Sequence, residues 1–574
     1  MIRPNPSVVR GKPYSVPRAQ APTDLFLDGN EGAALPDGAL DVLIRDAERV
    51  RRYPKAGPLE AALAERAGIE AGQVIVSAGG DDLIDRCCRV VLRPGRALVL
   101  PVPGFAMTRR YGEIAGAEVV EIPWESGAFP VEACLAVPDA GMIVVTSPNN
   151  PTGAVATAAD VDRICAARPD AMVLVDAAYA EFADEDLTEA ALQWDNALVI
   201  RTFSKAWGLA GLRVGYALGS LEVIGWLRAA GAPYPVSGPA LALAEARLRD
   251  GVEDMRRFVA RAREERAELE RTLASLGASV TPSQGNFAFA RLSDPLWLRD
   301  GMAGLGIAIR AFPGRPVLEN AVRISVPGDA VQLDRLLRGL KACLAPEALL
   351  LDLDGVVADV SGSYREAIRA TARTYGVRLT EEQVLAAKAA GDANNDWVLT
   401  QQMLAARGVE VSLAEVTATF EALVQGTDDE PGLWTKERLL VTREVLARMA
   451  QALPIAAVTG RPRLDAERFL ETQGIADLFS AVIGMEDGPA KPDPAPVLAA
   501  LKALGVGCAW MVGDTPDDAR AARSAGVIPL GVRTGGVEDV ALFGAGCARV
   551  VDSLTDLAAL VASVAADEEA RCAG

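Results

Sequence analysis

A lysine that directly follows an apolar run is the residue of this chain best placed for covalent chemistry. Lys205 has Thr202 and Ser204 beside it, and Arg213 lies eight residues further on. A primary amine at such a position can condense with a carbonyl group to form an imine. The two hydroxyls and the guanidinium can bind a phosphate dianion, the guanidinium through two parallel hydrogen bonds. The pattern indicates imine chemistry on a phosphorylated ligand; a solvated lysine and a surface arginine are the simpler alternative.

Two further segments fit the same ligand. The sequence SPNNPTG at 147–153 follows an apolar run, and VLVDAAY at 173–179 ends another. With the Lys205 segment they resemble the fold-type I aminotransferases, most closely the histidinol-phosphate aminotransferases. The resemblance implies pyridoxal 5'-phosphate as cofactor, with Lys205 as its Schiff-base lysine and Asn150 and Tyr179 as hydrogen-bond donors to its ring oxygen. It also implies that Asp176 keeps the ring nitrogen protonated; a structural aspartate that caps the next element is the alternative.

A strand, a glycine-rich turn and a helix are predicted in succession over residues 73–92. The turn places the backbone amides of Gly80 and Asp81 at the start of the helix. Unpaired N–H groups and the helix dipole both favour an anion there, so we expect a phosphate at this position. Phe105 stands where the family has a tyrosine that stacks on the cofactor ring. Phenylalanine can supply the same ring face, although a core phenylalanine is the alternative.

Substrate contacts are implied by the same resemblance. Tyr14 and Asn30, from an irregular N-terminal arm, would face the substrate, although both also suit ordinary turns. Arg323 would hold the acidic tail of the substrate or of the amino donor glutamate, and Arg310 is a further candidate for that pocket. Tyr53, in an RYP motif, would reach the cofactor phosphate of a partner subunit. The resemblance therefore implies a homodimer.

A second strand-and-carboxylate pattern begins just beyond residue 345. The sequence LLLDLDGVV at 349–357 resembles the first motif of the haloacid dehalogenase superfamily. The resemblance implies that Asp352 attacks phosphorus, and that Asp354 protonates the leaving alcohol and later activates water. Because dehalogenases of this superfamily lack the second aspartate, phosphoryl transfer is favoured over cleavage of a carbon–halogen bond.

The remaining motifs of that superfamily follow in order. Thr459 and Lys491 would contact the transferring phosphoryl group, and the sequence GDTPDD at 513–518 supplies Asp514 and Asp518. The predicted metal ligands are Asp352, Asp354, Asp514 and Asp518. Four converging carboxylates repel one another unless a cation lies between them, and hard oxygen ligands select Mg²⁺.

These assignments predict an α/β chain with two modules. Residues 1–345 would form a fold-type I aminotransferase, with a large mixed-sheet domain, an N-terminal arm and a small domain from about 250. Residues 346–574 would form a Rossmann-like phosphatase core with a mobile helical cap at about 361–450. Within the cap, Lys388 and the polar stretch 391–397 beside Trp397 suggest a substrate-facing loop; a helix N-cap with a core tryptophan is the alternative.

Composition excludes several classes of function. The formal charge of −19 and the pI near 4.8 argue against nucleic-acid and anionic-membrane partners. The eight cysteines show no metal-binding spacing, and no targeting segment or membrane span is expected, so we predict a soluble, cytoplasmic protein. The chain has no histidine, which excludes Ser-His-Asp triads and histidine-ligated metals. Acid-base work must therefore fall to lysine, tyrosine, aspartate or glutamate.

The resemblances together predict a bifunctional enzyme. Its first module would transfer the amino group of glutamate to imidazole acetol phosphate, and its second would hydrolyse the product, L-histidinol phosphate, to histidinol. Two alternatives stay open. One is an aminotransferase or phosphothreonine-type decarboxylase that acts on another phosphorylated substrate beside its own phosphatase. The other is an active aminotransferase with a non-catalytic C-terminal binding domain.

Overall fold

Short apolar runs alternate with amphipathic stretches along the chain and produce alternating strands and helices. The computed structural model describes residues 6–10, 13–45, 48–391, 393–427 and 430–562. The strands are β1 (Leu25–Phe26), β2 (Val74–Ser77), β3 (Ala97–Val102), β4 (Glu118–Pro123), β5 (Ala140–Thr146), β6 (Met172–Asp176), β7 (Ala197–Thr202), β8 (Gly215–Gly219), β9 (Ser279–Thr281), β10 (Phe287–Arg291), β11 (Ile307–Ala308), β12 (Arg310–Ala311), β13 (Ala321–Ser325), β14 (Leu349–Leu351), β15 (Ala358–Asp359), β16 (Arg438–Leu439), β17 (Ile455–Val458), β18 (Phe479–Ile483), β19 (Trp510–Gly513), β20 (Ile528–Val532) and β21 (Arg549–Val551).

The α-helices are α1 (Pro6–Arg10), α2 (Asp41–Arg45), α3 (Glu48–Arg51), α4 (Gly57–Ala67), α5 (Gly80–Val91), α6 (Ala106–Ile114), α7 (Val131–Leu135), α8 (Ala158–Ala167), α9 (Thr188–Ala191), α10 (Leu221–Ala230), α11 (Gly238–Asp250), α12 (Val252–Ser275), α13 (Pro295–Gly304), α14 (Ala330–Leu344), α15 (Tyr364–Thr374), α16 (Glu381–Ala390), α17 (Asp396–Ala405), α18 (Leu413–Gln425), α19 (Arg443–Ala452), α20 (Arg463–Thr472), α21 (Ala495–Leu504), α22 (Pro516–Ser524) and α23 (Asp539–Ala545). No described helix combines the length and the apolar character that crossing a membrane requires.

The first of two compact units comprises the residues up to Pro17, Leu27–Ser293 and Arg310–Leu333. Its main sheet has the strand order β2-β8-β7-β6-β5-β3-β4, in which only β8 runs antiparallel to its neighbours. A smaller antiparallel sheet has the order β12-β13-β10-β9. Because β5, β6 and β7 are adjacent and parallel, the residues that follow them meet at one edge of the main sheet.

Apolar side chains bury the main sheet of this unit beneath the helix α5. Leu83 of α5, Leu98 of β3, Met142 of β5 and Leu174 of β6 are all fully buried in one core cluster. Parallel strands that are covered by helices consist of nearly continuous apolar residues. The continuous apolar runs therefore predict β5 and β6 correctly, and they hold the ends of those strands in fixed positions.

The second unit comprises Arg18–Phe26, Asp294–Ile309 and the chain from Asp334 onward. Its sheet is parallel throughout, with the order β18-β17-β14-β19-β20-β21. Since β17, β14 and β19 are neighbours, the motifs that follow these three strands converge at one sheet edge.

Two indole rings attach helices that precede residue 345 to this second sheet. Trp297 of α13 and Trp510 of β19 are both buried, with ring centroids 4.7 Å apart. Their N–H groups donate to the carbonyl oxygens of Cys343 and Ala342, at 3.0 and 2.7 Å. The second compact unit therefore includes segments on the N-terminal side of the predicted module boundary.

A helical insertion separates β15 from β16, which pair as a short antiparallel ribbon. The inserted residues, 360–437, contain α15 to α18. The sequence analysis predicts a longer cap, 361–450, but α19 begins only after the chain has returned through β16. The two ribbon strands, together with residues 360–363 that lead into α15 and with Glu437 that leads into β16, are consequently the linkers between cap and core.

Candidate active sites

The ends of β5, β6 and β7 bring four of the predicted side chains together in the first unit. Lys205 follows β7, and its Nζ donates to the carbonyl oxygen of Gly29 at 3.1 Å and lies 5.5 Å from the centroid of the Tyr179 ring. Asp176 is the last residue of β6, and Asn150 belongs to the turn after β5. Lys205 therefore lies beside Tyr179 and acts electrostatically on Asp176, whereas the amide oxygen of Asn150 accepts from Arg323.

The carboxyl of Asp176 is buried, and this raises its pKa to about 6. Desolvation is the main cause, because burial penalises the charged form. The Asp81 carboxylate raises the pKa further, whereas the backbone N–H of Ala178, at 3.2 Å from Oδ1, and the Lys205 ammonium lower it. A cationic ligand atom at this carboxyl would offset the cost of desolvation. The site thus fits a protonated ring nitrogen.

The N-terminus of α5 presents backbone amides. Gly79 occupies the N-cap position with a φ of 84°, and α5 begins at Gly80. A φ in this range favours glycine. Among the described residues no side chain caps this helix by hydrogen bonding to its first amides. The amides of Gly80 and Asp81 are therefore placed as predicted, at a terminus that suits an anion.

Two hydroxyls and a guanidinium lie on the other side of this terminus. Thr202 and Ser204 are buried, and their hydroxyl oxygens lie 2.9 Å apart. Arg213 has a φ of 53°, and its Nη2 lies 3.1 Å from the carboxylate of Asp81. A β-carbon added to Gly79 would lie only 2.9 Å from the same Nη2. The hydroxyls, the Arg213 guanidinium and the start of α5 would together form a phosphate-binding site. A phosphate bound there would compete with the Asp81 carboxylate for the guanidinium of Arg213.

Two buried arginines stand opposite one another on paired strands. Arg310 of β12 and Arg323 of β13 are register partners. The Nη1 of Arg323 donates to Oδ1 of Asn150 and its Nη2 to the carbonyl oxygen of Asp28, both at 2.6 Å. Its Nε has no hydrogen-bond partner within the described parts of the chain. Burial lowers the pKa of Arg323, and the nearby Arg310 lowers it further. Two buried cations this close together fit an anionic ligand.

Three further predicted residues line a cavity beside these arginines. Tyr14, Phe105 and Asn150 surround a space of about 60 Å³ together with Arg310 and Arg323. Tyr14 is itself largely exposed. Both aromatic residues therefore border the same cavity as the two buried arginines, and their contacts with substrate and cofactor ring stay predictions.

Asn30 and Tyr53 occupy different environments. Asn30 is fully buried, donates its amide to the Tyr179 hydroxyl at 3.0 Å and accepts from the Ser325 hydroxyl at 2.8 Å. Its side chain thus contacts Tyr179 directly. Tyr53 is 78 % exposed and stacks on Tyr234, with ring centroids 4.7 Å apart. Within one chain Tyr53 therefore makes a contact outside the group formed by Lys205 and Tyr179.

Three carboxylates and one lysine form the centre of the second site. Asp352 follows β14, Asp514 follows β19 and Asp518 lies in the first turn of α22. Ligand oxygens of these three residues lie within 4.8 Å of one another. Lys491 donates to Asp352 at 2.9 Å, to Asp518, and to the carbonyl oxygen of Val458 at 3.0 Å. All four charged side chains are buried.

The electrostatics of this cluster indicate a cation site. Burial raises the pKa of Asp352 well above its ordinary range, and the other carboxylates raise it further, whereas Lys491 opposes them. Burial and the neighbouring Asp518 raise the pKa of Asp514 to about 7. Arg365, whose Nη2 lies 3.8 Å from Asp514, and Lys388 oppose this rise in pKa without cancelling it, and all the ligand atoms are hard oxygens. The cluster therefore fits Mg²⁺.

Asp354, the predicted fourth carboxylate ligand, lies outside the group of three. Its Oδ1 accepts a hydrogen bond from Nε of Arg461 at 2.5 Å. Thr459 is buried after β17, where its hydroxyl accepts from the backbone N–H of Arg461 at 3.3 Å. Sequence reasoning assigned no role to Arg461, although this residue stands in the same TGR motif as Thr459.

The cap contributes polar groups to the same site. Arg365, Lys388 and Asp396 line a cavity of about 20 Å³ that also borders Asp352 and Asp354. The Lys388 ammonium lies 2.9 Å from the Asp396 carboxylate. Arg365 was not among the predicted residues because nothing in its local sequence distinguishes it from any helical arginine.

The cap stretch 391–397 contains the predicted helix N-cap and one residue that lines the cavity. Asn394 is the lining residue, and its contact with a substrate stays a prediction. Asn395 caps α17 by accepting from the N–H groups of Trp397 and Val398. Asp392 lies outside the described residues.

Comparison with known proteins agrees with this division of sites. The model of the family "Aminotransferase class I and II" matches residues 28–340, and that of "haloacid dehalogenase-like hydrolase" matches residues 346–526. An imidazoleglycerol-phosphate dehydratase of Phytophthora nicotianae is 50 % identical over 196 residues, which are 33 % of this chain and 43 % of that protein. The chain thus spans less than half the length of that relative.

Other relatives are matched over more of this chain and over more of their own length. Histidinol-phosphate aminotransferase 3 of Mesorhizobium japonicum is 34 % identical over 314 residues, which are 53 % of this chain and 84 % of that protein. A crystal structure of the Sinorhizobium meliloti histidinol-phosphate aminotransferase in complex with pyridoxal-5'-phosphate shares the fold, with a TM-score of 0.52, 24 % identity and coverage of 56 % of this chain and 90 % of that one. The chain is therefore an enzyme of the aminotransferase class I and II family that also carries a haloacid dehalogenase-like hydrolase domain.

Proposed function

We propose that this chain catalyses two consecutive reactions. An aminotransferase module, residues 1–345, would convert imidazole acetol phosphate and glutamate into L-histidinol phosphate and 2-oxoglutarate. A capped phosphatase module, residues 346–574, would hydrolyse L-histidinol phosphate to histidinol. The observation that carries the proposal is that one chain holds both a lysine site flanked by anion-binding groups and a buried carboxylate–lysine site for phosphoryl transfer. The names of the relatives, which refer to histidinol phosphate and imidazoleglycerol phosphate, support this substrate class.

In the first module, pyridoxal phosphate would occupy the space between Lys205 and Asp176. Its phosphate would bind the amides of Gly80 and Asp81 together with Arg213, and the hydroxyls of Thr202 and Ser204 would complete the phosphate-binding site. When bound, the cofactor supplies an electron sink for a substrate carbanion. Asp176 would hold the proton on the ring nitrogen, which is the charge that its buried carboxyl is placed to stabilise.

Substrate binding in this module would depend on the buried arginines. Arg323 and Arg310 would hold the side-chain carboxylate of glutamate and then the phosphate of the second substrate. One catalytic cycle requires the same pocket to bind these two anions one after the other. Lys205 would transfer the proton at the substrate α-carbon, because its Nζ approaches the site and the chain has no histidine for this task.

In the second module, Asp352 would attack phosphorus and displace the leaving oxygen, which Asp354 would protonate. A water molecule deprotonated by Asp354 would then attack phosphorus, release inorganic phosphate and restore Asp352. Lys491 and Thr459 would bind the oxygens of the phosphoryl group. Mg²⁺ would be held by Asp352 with Asp514 and Asp518, and would neutralise the charge of the phosphoryl oxygens. The buried, mutually repelling carboxylates support a catalytic module over a binding domain, because a binding domain has no need for such a costly group.

A homodimer and a cytoplasmic location complete the proposal. The exposed Tyr53 supports a partner subunit, because its ring is available to reach a second chain. The net charge of −19 supports small anionic substrates bound in local arginine pockets rather than nucleic-acid partners.

Product analysis with the purified full-length chain tests both reactions. The chain is supplied with pyridoxal phosphate, Mg²⁺, glutamate and imidazole acetol phosphate, and 2-oxoglutarate and inorganic phosphate are followed together. We expect 2-oxoglutarate to appear first and phosphate to follow after a lag, because the first product feeds the second site. Absence of 2-oxoglutarate at high enzyme concentration would reject this amino acceptor. Absence of phosphate from added histidinol phosphate would reject the second reaction.

A further inference from the structure

Arg461 occupies the centre of a buried polar network beside Asp354. Its side chain is 2 % exposed, and its Nε donates to Oδ1 of Asp354 at 2.5 Å. Its Nη1 donates to Oε2 of Glu437 at 3.0 Å. The guanidinium lies 4.6 Å from the ring centroid of Tyr364 and 5.3 Å from that of Phe469. The guanidinium is therefore held by hydrogen bonds to two carboxylates and by packing against two aromatic rings.

The other carboxylate of this network belongs to a cap linker. Glu437 immediately precedes β16, the strand through which the chain returns from the cap. Its Oε1 accepts a hydrogen bond from the hydroxyl of Ser363 at 2.8 Å. Ser363 immediately precedes α15, at the end of the outgoing linker. Both Ser363 and Glu437 are buried. One continuous chain of hydrogen bonds thus runs from Asp354 through Arg461 to both cap linkers.

The charges in this network explain why its members depend on one another. Arg461 provides the one positive charge in contact with the two carboxylates of Asp354 and Glu437, as far as the described residues show. Its Nη2 has no hydrogen-bond partner among the described residues, so Asp354 and Glu437 determine the orientation of the guanidinium. Removal of one partner from a buried ion pair leaves an uncompensated buried charge, which is strongly unfavourable. Movement of Glu437 would consequently be transmitted to Arg461 and to Asp354.

We propose that Arg461 is a positioning residue that aligns the carboxyl group of Asp354 with the leaving oxygen, and that Glu437 and Ser363 couple this alignment to the two cap linkers. The inference rests on the proposed phosphatase function and on the role of Asp354 as proton donor within it. Arg461 itself touches Asp354 and does not need to touch the substrate. The consequence is that the proton donor is in place only when both linkers hold their present arrangement.

Leaving-group dependence distinguishes positioning of a proton donor from general support of the fold. A p-nitrophenolate leaves without protonation, whereas an alkoxide requires it. The quantity to compare is kcat/KM, because it reports the steps up to the first irreversible one, the cleavage of the ester bond. We expect Arg461→Ala to lower kcat/KM for glycerol phosphate and histidinol phosphate by about 100-fold, within the range for general acid catalysis, and that for p-nitrophenyl phosphate by less than about 5-fold. Arg461→Lys should recover part of the loss on the alkyl esters, because a lysine ammonium can still pair with Asp354.

A double variant tests whether Arg461 acts through Asp354. Asp354→Asn alone should show the same dependence on the leaving group. Arg461→Ala combined with Asp354→Asn should lose no more activity than Asp354→Asn alone, because residues that act as one unit are not additive. Additive losses would overturn the proposal.

The linker residues are tested by conservative changes in the full-length protein. Glu437→Gln retains the shape of the side chain and removes its charge, and it should produce the alkyl-selective loss in weaker form. Ser363→Ala should do the same to a smaller extent. Glu410→Gln is the matched control, since this cap glutamate is exposed and should leave the ratio between the two substrate types unchanged.

The outcomes separate this inference from the function on which it rests. A wild-type protein that hydrolyses no phosphate monoester in the presence of Mg²⁺ rejects the proposed phosphatase and this inference with it. A wild-type phosphatase whose Arg461 and Glu437 variants lose activity equally on aryl and alkyl esters rejects the inference alone. If circular dichroism shows that Arg461→Ala is unfolded, Arg461→Lys and Glu437→Gln decide the question by the same ratio.

Discussion

Removal of divalent cations should make the second unit progressively less stable as the pH rises towards neutrality. In the metal-free folded chain, burial and Asp518 raise the pKa of Asp514 to about 7, from an ordinary value of 3.8. The folded state thus retains a proton that the unfolded state releases between these two values. The free energy of unfolding should fall by about 1.4 kcal/mol per pH unit over that window, or about 4 kcal/mol in total. The contribution is fully present below pH 4 and is lost as the pH passes 7.

Magnesium should reverse this loss. The ion binds the ionised carboxylates of the folded state and stabilises it by mass action. For a unit of this size, 4 kcal/mol corresponds to an increase in Tm of about 10 °C. The assay is calorimetric unfolding between pH 5 and 8, with EDTA or with millimolar Mg²⁺. Asp514→Asn should flatten the pH dependence and weaken the response to Mg²⁺, whereas Asp477→Asn, which alters an exposed carboxylate, should change neither.

One result would refute the electrostatic argument. If the Tm of the EDTA-treated protein stays level or rises between pH 5 and 7, and Mg²⁺ at pH 7.5 has no effect, then the three carboxylates do not repel one another as their separation and burial indicate. The protein's own charged groups would then be sufficient to stabilise the three carboxylates without a bound cation.

Three further predictions concern the proposed activities and assembly. Lys205→Ala should abolish transamination and the visible absorbance of bound pyridoxal phosphate while phosphatase turnover is retained; loss of both activities would contradict two independent sites. Asp352→Asn should abolish hydrolysis of histidinol phosphate, because an amide is a poor nucleophile, while transamination continues and the phosphorylated amine accumulates; hydrolysis at the wild-type rate would exclude Asp352 as the nucleophile. Sedimentation should show a dimer, since the exposed Tyr53 is expected to act in a partner's site, and a monomer that transaminates at full rate would disprove that role.

Much of both sites could be predicted because the relevant residues follow apolar strands. Asp176 ends β6 and Asp352 follows β14, and each apolar run is long enough to mark its strand in the sequence. In a parallel sheet the ends of neighbouring strands must lie at one edge. Asp514, after β19, accordingly lies close to Asp352, as the resemblance to the haloacid dehalogenase motifs implies. Such predictions are possible because the apolar strand and the polar residues that follow it lie within a few residues of one another in the sequence.

The extent of the cap and of the compact units could not be predicted in the same way. The two cap linkers pair as β15 and β16, although more than 70 residues separate Ser363 from Glu437 in the chain. The packing of Trp297 on Trp510 likewise joins distant segments. No local sequence pattern predicts the strand pairing or the packing of the two tryptophans, because each contact depends on how whole helices and strands pack.

Residue types and local patterns are enough to show which chemical groups the protein can use. The absence of histidine, the lysine after β7 and the aspartates after β14 and β19 follow from residue type and local pattern alone. How those groups are charged and directed depends on the folded structure. It places Arg310 opposite Arg323, turns the carboxylate of Asp354 to Arg461 and buries three carboxylates together, two of them in contact with Lys491. The physical reason is that pKa values and side-chain orientation depend on desolvation and on neighbours brought together from distant parts of the chain.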